Sequence, residues 1–499
     1  MINPLSLKLG YRPDNIQTML IDAIPFSKIL HDSGKDLEKK AIGAFLSFIE
    51  KKLGGSFVID RNELPYGRDD LTALFVIAGK LKDAGVITSY QQNFGYADEP
   101  LQYNWAVRCA TTDKHMAGGM SASSDEDALV AALAEALERF IWFSDDIFLD
   151  SALHMSVKEI ARLEKPYLSL SRFAGFSEEQ RVGSSRLKID EESAFRWIRA
   201  WSILAKEEIW APAQIFLSGR GGHFKDEPII RMPITTGLAT WPTKDGAILR
   251  GILEIVERDA FMIAWANQLS LPRIDLEVLA VKRPSLSDLI KRCRRYGLEP
   301  RAVRLVTDAP TYAVCASVED KYGQAPRLTI GLKAHYDLGR AVEGALLEAL
   351  RMRQTTRRRV EADGQWDETK DPNLINHLER AHYWSDPFRA KKLEFLFGDA
   401  NKDPAELGSP DCDNDAAQLE KIKSWARFRN YEILTLSFGS SRFNVSPWQV
   451  EMVTMPELQP MHQNERYRCL SGERLREVPK MFGYDPLPEP YVDEPHPFA

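Results

Sequence analysis

The chain has 499 residues, 44% of them hydrophobic and 27% charged, which is enough apolar material for a large core and more than one domain and excludes large-scale disorder. Its formal net charge of -7 excludes a general nucleic-acid binder, whose phosphate contacts need a basic surface. No stretch is long and apolar enough to span a membrane, residues 1–12 lack the basic region, apolar core and cleavage site of a signal peptide, and the chain is expected in the cytoplasm.

In chain order, residues 1–95 read as a small module. Apolar Ile42, Phe45, Leu46 and Ile49 recur at helical spacing over 36–53. A second helix is predicted over 71–84, stopped by Gly85 and followed by the short strand Val86-Ile87-Thr88. Helix, turn and strand in that order suit a winged-helix-like unit for peptide or partner binding, and equally a structural cap. Residues 96–499 alternate strands with long helices, as a layered α+β domain does. Strands are predicted over 103–109, 209–217, 299–305, 311–318 and 327–332, and long helices over 125–143, 245–268 and 337–359. The charged stretch 361–415 reads as helix and loop inserted at the surface, and the proline-rich 479–499 as extended chain. Arg351, Arg353, Arg357, Arg358 and Arg359 read as a solvated helix face. Cys109, Cys293, Cys315, Cys412 and Cys469 are scattered without a CxxC pair, so reduced thiols are expected.

Two of the helices carry the same charged motif. Glu135, Glu138 and Arg139 form ExxER in the first, and Glu254, Glu257 and Arg258 repeat it in the second. Residues three apart share a helical face, so each helix presents two carboxylates together. Both helices are otherwise apolar, and carboxylates at the edge of a buried helix repel one another unless cations compensate them. Magnesium, hard and commonly shared between carboxylates and substrate phosphates, answers that need without a glycine-rich phosphate loop. The third helix adds Glu348 and Arg351. A Glu with Arg four residues on is also an ordinary helix-stabilising pair, and on physical grounds the two readings stand level.

The surrounding residues separate them. Thr235-Thr236-Gly237-Leu238-Ala239, Gly246-Ala247-Ile248-Leu249 and Leu253-Glu254-Ile255-Val256-Glu257-Arg258-Asp259-Ala260 closely resemble the central signature of the YcaO family. Gly118-Gly119 before the first ExxER, Pro212-Ala213-Gln214, the run from Ala341 to Glu348, Leu458-Gln459-Pro460 and Glu477-Val478-Pro479 agree in order and spacing, so the resemblance covers about residues 100–499. It implies a YcaO-type ATP-binding fold, with layered sheets and long acidic helices. Glu135, Glu138, Glu254, Glu257 and Glu348 would hold magnesium ions and ATP phosphates. Arg139, Arg258, Arg351, Thr235 and Thr236 would contact the nucleotide or brace the carboxylates.

The end, Pro495-His496-Pro497-Phe498-Ala499, resembles the proline-rich tail that enters the active site of the family's peptide cyclodehydratases. That likeness makes Pro495, Pro497 and the Ala499 carboxylate candidate catalytic elements, with Ala499 as proton acceptor and His496, read as a surface histidine, as a second candidate. Gly119, Ala131, Trp241, Arg351 and Ala499 depart from common family residues. The implied activity is ATP-dependent azoline formation on Cys, Ser or Thr of a ribosomally made precursor peptide. A separate leader-peptide-binding protein, a flavin-dependent dehydrogenase and an oligomeric assembly are the further partners expected. Backbone thioamide formation, a non-catalytic scaffold and a helper of ribosomal-protein modification remain the alternatives.

Overall fold

The computed structural model describes residues 70–499 apart from 94–95, 101–102, 112–115, 122–123, 144–145, 220–221, 376, 401–413, 439–447, 489–491, 493 and 499. The helix expected over 36–53 and the candidate Ala499 therefore lie outside the described residues. The chain divides into two compact units, one holding residues up to 94, 102–140 and 441–446, the other 95–101, 141–440 and 447–499.

In the first unit, helix α1 (Asp70–Asp83) ends at Gly85, whose φ of +69° suits a residue without Cβ, and the chain enters β1 (Ile87–Gln92). Strands β2 (Tyr103–Cys109) and β3 (Met116–Ser121) complete a three-stranded antiparallel sheet in the order β1-β2-β3. Helix α2 (Asp125–Trp142) follows, and its first residue, Asp125, accepts hydrogen bonds from Trp105 Nε1 (2.9 Å) and Gln92 Nε2 (2.7 Å) of the sheet. Strand and helix then touch backbone to backbone. A Cβ at Gly119 would lie 1.9 Å from the carbonyl oxygen of Ala128 and 2.5 Å from the nitrogen of Ala132, so no side chain fits there.

The second unit contains two sheets. Strands β4 (Leu153–Ser156), β5 (Ala194–Ser202), β6 (Glu207–Pro212), β7 (Leu238–Trp241), β13 (Leu434–Ser437) and β14 (Gln449–Thr454) form one, ordered β4-β5-β13-β14-β7 with β6 beside β5. The other is ordered β11-β10-β9-β8-β12, from β8 (Leu271–Arg273), β9 (Leu298–Arg304), β10 (Tyr312–Asp320), β11 (Leu328–His335) and β12 (Phe397–Ala400). Helix α3 (Lys244–Ala266) packs against β7 and β14 of the first sheet and β10 and β11 of the second. Eighteen of its 23 residues are buried, the pattern of a helix enclosed on every side. Thr243 caps it by accepting the amide of Gly246. Helix α4 (Leu338–Asp363), capped by Asp337, covers β10 and β11. Here too a glycine admits close approach, since a Cβ at Gly331 would meet the Ala345 carbonyl oxygen at 2.3 Å.

Three expectations are corrected. Arg353 is buried rather than solvated: it pairs with Glu99 (2.9 Å) and Asp320 (2.8 Å) and donates to the Pro326 carbonyl, tying residues 95–101 to α4. The described part of 361–415 is not a surface insertion. Trp366, Trp384, Leu393 and Leu396 join Phe261 and Trp265 of α3 in one core, and β12 pairs with β8; widely spaced core residues were hidden by a charged average. Pro479 lies inside helix α6 (Arg474–Met481), so extended chain begins only after it. A proline withholds the amide that would reach the carbonyl four residues back; the Leu475 carbonyl instead accepts Asn267 Nδ2 at 2.9 Å and so is not left unpaired.

Candidate active site

Four of the five predicted carboxylates are held in the same way, by a backbone amide in or next to the strand on which the helix lies. In the first unit Gly118 N donates to Glu135 Oε2 at 3.0 Å, and Arg139 donates to Glu135 Oε1 at 3.3 Å. Glu138 stands half-buried one turn along the same helix. In the second unit Gly237 N donates to Glu254 Oε2 (2.9 Å), Ala334 N to Glu257 Oε2 (2.8 Å) and Leu332 N to Glu348 Oε2 (2.7 Å). One oxygen of each of these four glutamates is thereby fixed. A carboxylate accepts along four lone-pair directions, so acceptor capacity remains on the second oxygen even where an arginine lies beside it, as Arg139 does at Glu135 and Arg258 at Glu254 and Glu257.

Arg258 is the cation among the second unit's three carboxylates. Its guanidinium lies 3.1 Å from Glu257 Oε1 and 3.5 Å from Glu254 Oε1, and its side chain is 12% exposed. Burial opposes its charge, but Glu257, Glu254 and Glu348 together hold it fully protonated. Glu348 is pushed above the ordinary carboxylate range, first by burial and also by Glu257, while Arg258 and Arg351 pull the other way. Three carboxylates thus share the guanidinium groups of Arg258 and Arg351. Arg258 Nη1, though close to Glu257, makes no well-aligned hydrogen bond.

Gly237 makes this corner possible. With φ at +94°, it lets the Thr235-Thr236 turn bring its amide onto Glu254, and a Cβ there would meet the Val453 carbonyl oxygen at 2.2 Å. Thr236 and Arg258 share a small pocket with Arg231, Leu458, Gln459 and Pro460. Asp259 holds that pocket's far wall. It accepts Arg474 through both oxygens (2.8 and 2.6 Å) and the amide of Gln459 (2.8 Å), and Arg474 also reaches Asp308 (2.9 Å). In the second turn of α3, Arg250 stacks on Trp241 with 3.5 Å from guanidinium carbon to ring centroid, where Gly246 leaves room.

The C-terminal segment arrives at the same place. Phe498 lies 4.0 Å from the Arg258 guanidinium carbon and 6.2 Å from the Phe261 ring, between centroids in the latter case. His496 is fully buried, not a surface residue. Pro495 accepts Trp384 Nε1 through its carbonyl at 3.0 Å, and Pro497 lines a crevice with Trp384 and Leu393. Within the second unit the fold therefore gathers Glu254, Glu257, Arg258, Glu348 and the 495–498 segment; Glu135 and Arg139 meet in the first. Sequence reasoning missed the glycine amides and Asp259. A signal existed for the former, since Gly118 to Glu135 and Gly237 to Glu254 are both intervals of 17 residues.

Several clustered carboxylate oxygens with a spare acceptor direction and an unaligned guanidinium N–H suit a divalent cation with a phosphate. A family model described as YcaO cyclodehydratase, ATP- and Mg2+-binding, matches residues 121–446. The chain belongs to the YcaO family. That family binds ATP and Mg2+, and the site's chemistry agrees with it. A heterocyclase in complex with substrate and cofactor has the same fold, with a TM-score of 0.67 and 20% identity over 85% of this chain and 57% of that one. YcaO from Methanopyrus kandleri bound with AMPPCP and Mg2+ matches with a TM-score of 0.55 and 16% identity, over 83% and 94%. The E. coli microcin synthetase McbBCD complex with pro-MccB17 bound gives 0.56 and 13%, over 83% and 97%. An uncharacterized protein of Methanothermobacter thermautotrophicus is 29% identical over 171 residues, 33% of this chain and 43% of that one. The chain thus spans less than two thirds of that relative and of the heterocyclase. Among the described residues no helix is long and apolar enough to cross a membrane.

Proposed function

We propose that this YcaO protein is an ATP-dependent peptide cyclodehydratase, turning Cys, Ser or Thr residues of a precursor peptide into thiazoline or oxazoline rings. The observation that supports it best is the convergence of three amide-anchored glutamates, Arg258 and the proline-flanked 495–498 segment. In this reading Glu254, Glu257 and Glu348 are metal and phosphate ligands, and Glu135 and Glu138 serve the same ligand chemistry. Arg258, a permanent cation with a free donor direction, orients a phosphate oxygen. Arg139 and Arg351 brace carboxylates, and Thr235 and Thr236 offer hydroxyls to the nucleotide. Bound magnesium supplies charge neutralisation to the transferring phosphoryl group, the main requirement of such a step.

The substrate side chain adds to the preceding carbonyl and closes the ring, the resulting oxygen takes the terminal phosphoryl group of ATP as ADP leaves, and phosphate departs as the former amide nitrogen loses its proton and the C=N bond forms. The segment ending in Ala499 accepts the proton, which makes Ala499 the proposed base. Residues 1–95 are assigned to peptide or partner binding. A separate leader-binding protein and a flavin-dependent dehydrogenase complete the proposed system, as the peptide and partner proteins of the microcin synthetase complex suggest by analogy.

Mass spectrometry of a Cys- or Ser-rich candidate peptide incubated with the protein, its partner, ATP and Mg2+ tests this. Loss of one water per ring is expected. Replacement of oxygen by sulfur would select thioamide formation, and an unmodified peptide under all conditions would leave the scaffold reading.

A further inference from the structure

Arg380 is among the largest fully buried side chains of the protein, and nothing in the ATP site uses it. It lies on helix α5 (His377–Tyr383), with its guanidinium against three partners: the His462 carbonyl oxygen at 2.9 Å, Glu465 Oε1 at 2.8 Å and His496 Nε2 at 2.7 Å. Glu465 turns its other oxygen to His462 Nε2, also at 2.7 Å. His496 Nε2 is 2.7 Å from the His462 carbonyl oxygen as well. Burying such a pair of charges costs several kcal/mol of desolvation and is weak evidence of stabilisation by itself; specifying one geometry is a better-supported use.

The geometry points to Arg380, Glu465 and His462 as positioning residues that fix the 495–498 segment so that Phe498 is seated on Arg258. Arg380 and Trp384 are four residues apart with the Trp384 amide bonded to the Arg380 carbonyl, so they project from one helical face. Arg380 grips His496 and Trp384 grips the Pro495 carbonyl. Prolines at 495 and 497 restrict the chain between these grips and Phe498, so fixing the first pair fixes the aromatic ring. Phe498 in turn covers the Arg258 guanidinium with its face, where a cation is attracted and shielded from water. His462, Glu465 and His496 also offer ligand atoms within 4.8 Å of one another. The Arg380 guanidinium already touches two of the three, and a metal ion there would sit against a fixed cation.

The catalytic consequence rests on the proposed cyclodehydratase reading; the seating of the segment does not. Hydrogen exchange on the full-length chain reads the seating directly, in wild type, Arg380→Lys, Glu465→Gln and Trp384→Phe. The amides of His496 and Phe498 should exchange at least about tenfold faster in the variants while β11 keeps its protection. With peptide, kcat for phosphate release should fall in the same variants while KM for ATP stays within about twofold. Unchanged exchange at His496 and Phe498 in folded variants overturns the proposal, as does equal loosening of β11, the mark of a merely structural role. If Arg380→Lys does not fold, Glu465→Gln and Trp384→Phe decide. Absence of ATP turnover in wild type would defeat the cyclodehydratase reading and leave the exchange result standing.

Discussion

At the scale of single residues, neighbours in sequence divide structural and chemical work. Glu257, Arg258 and Asp259 are consecutive on α3, yet Glu257 and Arg258 face the acidic cluster while Asp259 binds Arg474. Asp259→Ala leaves Arg474 buried with Asp308 as its remaining carboxylate, and should cost about 3–5 kcal/mol in urea unfolding, as one-sided loss of buried pairs does. Glu257→Gln keeps an oxygen for the Ala334 amide, removes the charge and turns an NH2 towards Arg258, which retains Glu254 as a carboxylate partner. Its unfolding free energy should stay within about 1 kcal/mol of wild type, while activity with Mg·ATP is lost. His335 gives a pH dependence. Burial, then Arg340 and Lys333, lower its pKa from 6.5 to about 4, and its neutral Nδ1 accepts the Asp337 amide at the start of α4. The unfolded chain binds this proton more readily, so the stabilisation is whole above about pH 6.5 and is lost as pH falls towards 4. Urea midpoints measured across that window should decline less steeply for His335→Gln than for wild type.

At the scale of elements, glycine decides how closely a helix approaches its strand, and hence whether its glutamate reaches a strand amide. Gly331→Ala would place a methyl 2.3 Å from the Ala345 carbonyl oxygen. It should destabilise the protein by about 2 kcal/mol or more and weaken Mg·ATP binding by displacing Glu348. Gly79→Ala, in α1 with nothing within 4 Å of the new atom, should be neutral or stabilising by up to about 1 kcal/mol. Thermal unfolding of the two variants makes the comparison. The long helices and β2 were legible because their apolar periodicity is uninterrupted: 103–109 is the observed strand, and 245–268 differs from Lys244–Ala266 by one or two residues at each end. The role of 361–415 was not, because its core residues are separated by charged ones. Neither was the helical placement of Pro479, which depends on Asn267 more than two hundred residues away.

At the scale of the whole molecule, local motif and distant partner have to be read together. ExxER alone did not separate a metal site from a helix-stabilising pair; the flanking signature residues favoured the metal site, and the backbone amides, the buried charge and the arrival of Phe498 at Arg258 support it. The burial of His496 was likewise invisible, since its partners Arg380 and His462 come from two other stretches of the chain. The central claim is that the acidic cluster and the 495–498 segment together couple ATP use to a peptide. Phosphate release by the purified protein, with and without candidate peptide and partner, tests it most directly when wild type is compared with Glu257→Gln and with a chain lacking residues 497–499. Peptide-dependent release is expected in wild type, matched by one water lost from the peptide per phosphate, and neither in the two variants. Peptide-dependent release that persists in Glu257→Gln, or no release by wild type with any peptide and partner, would contradict it.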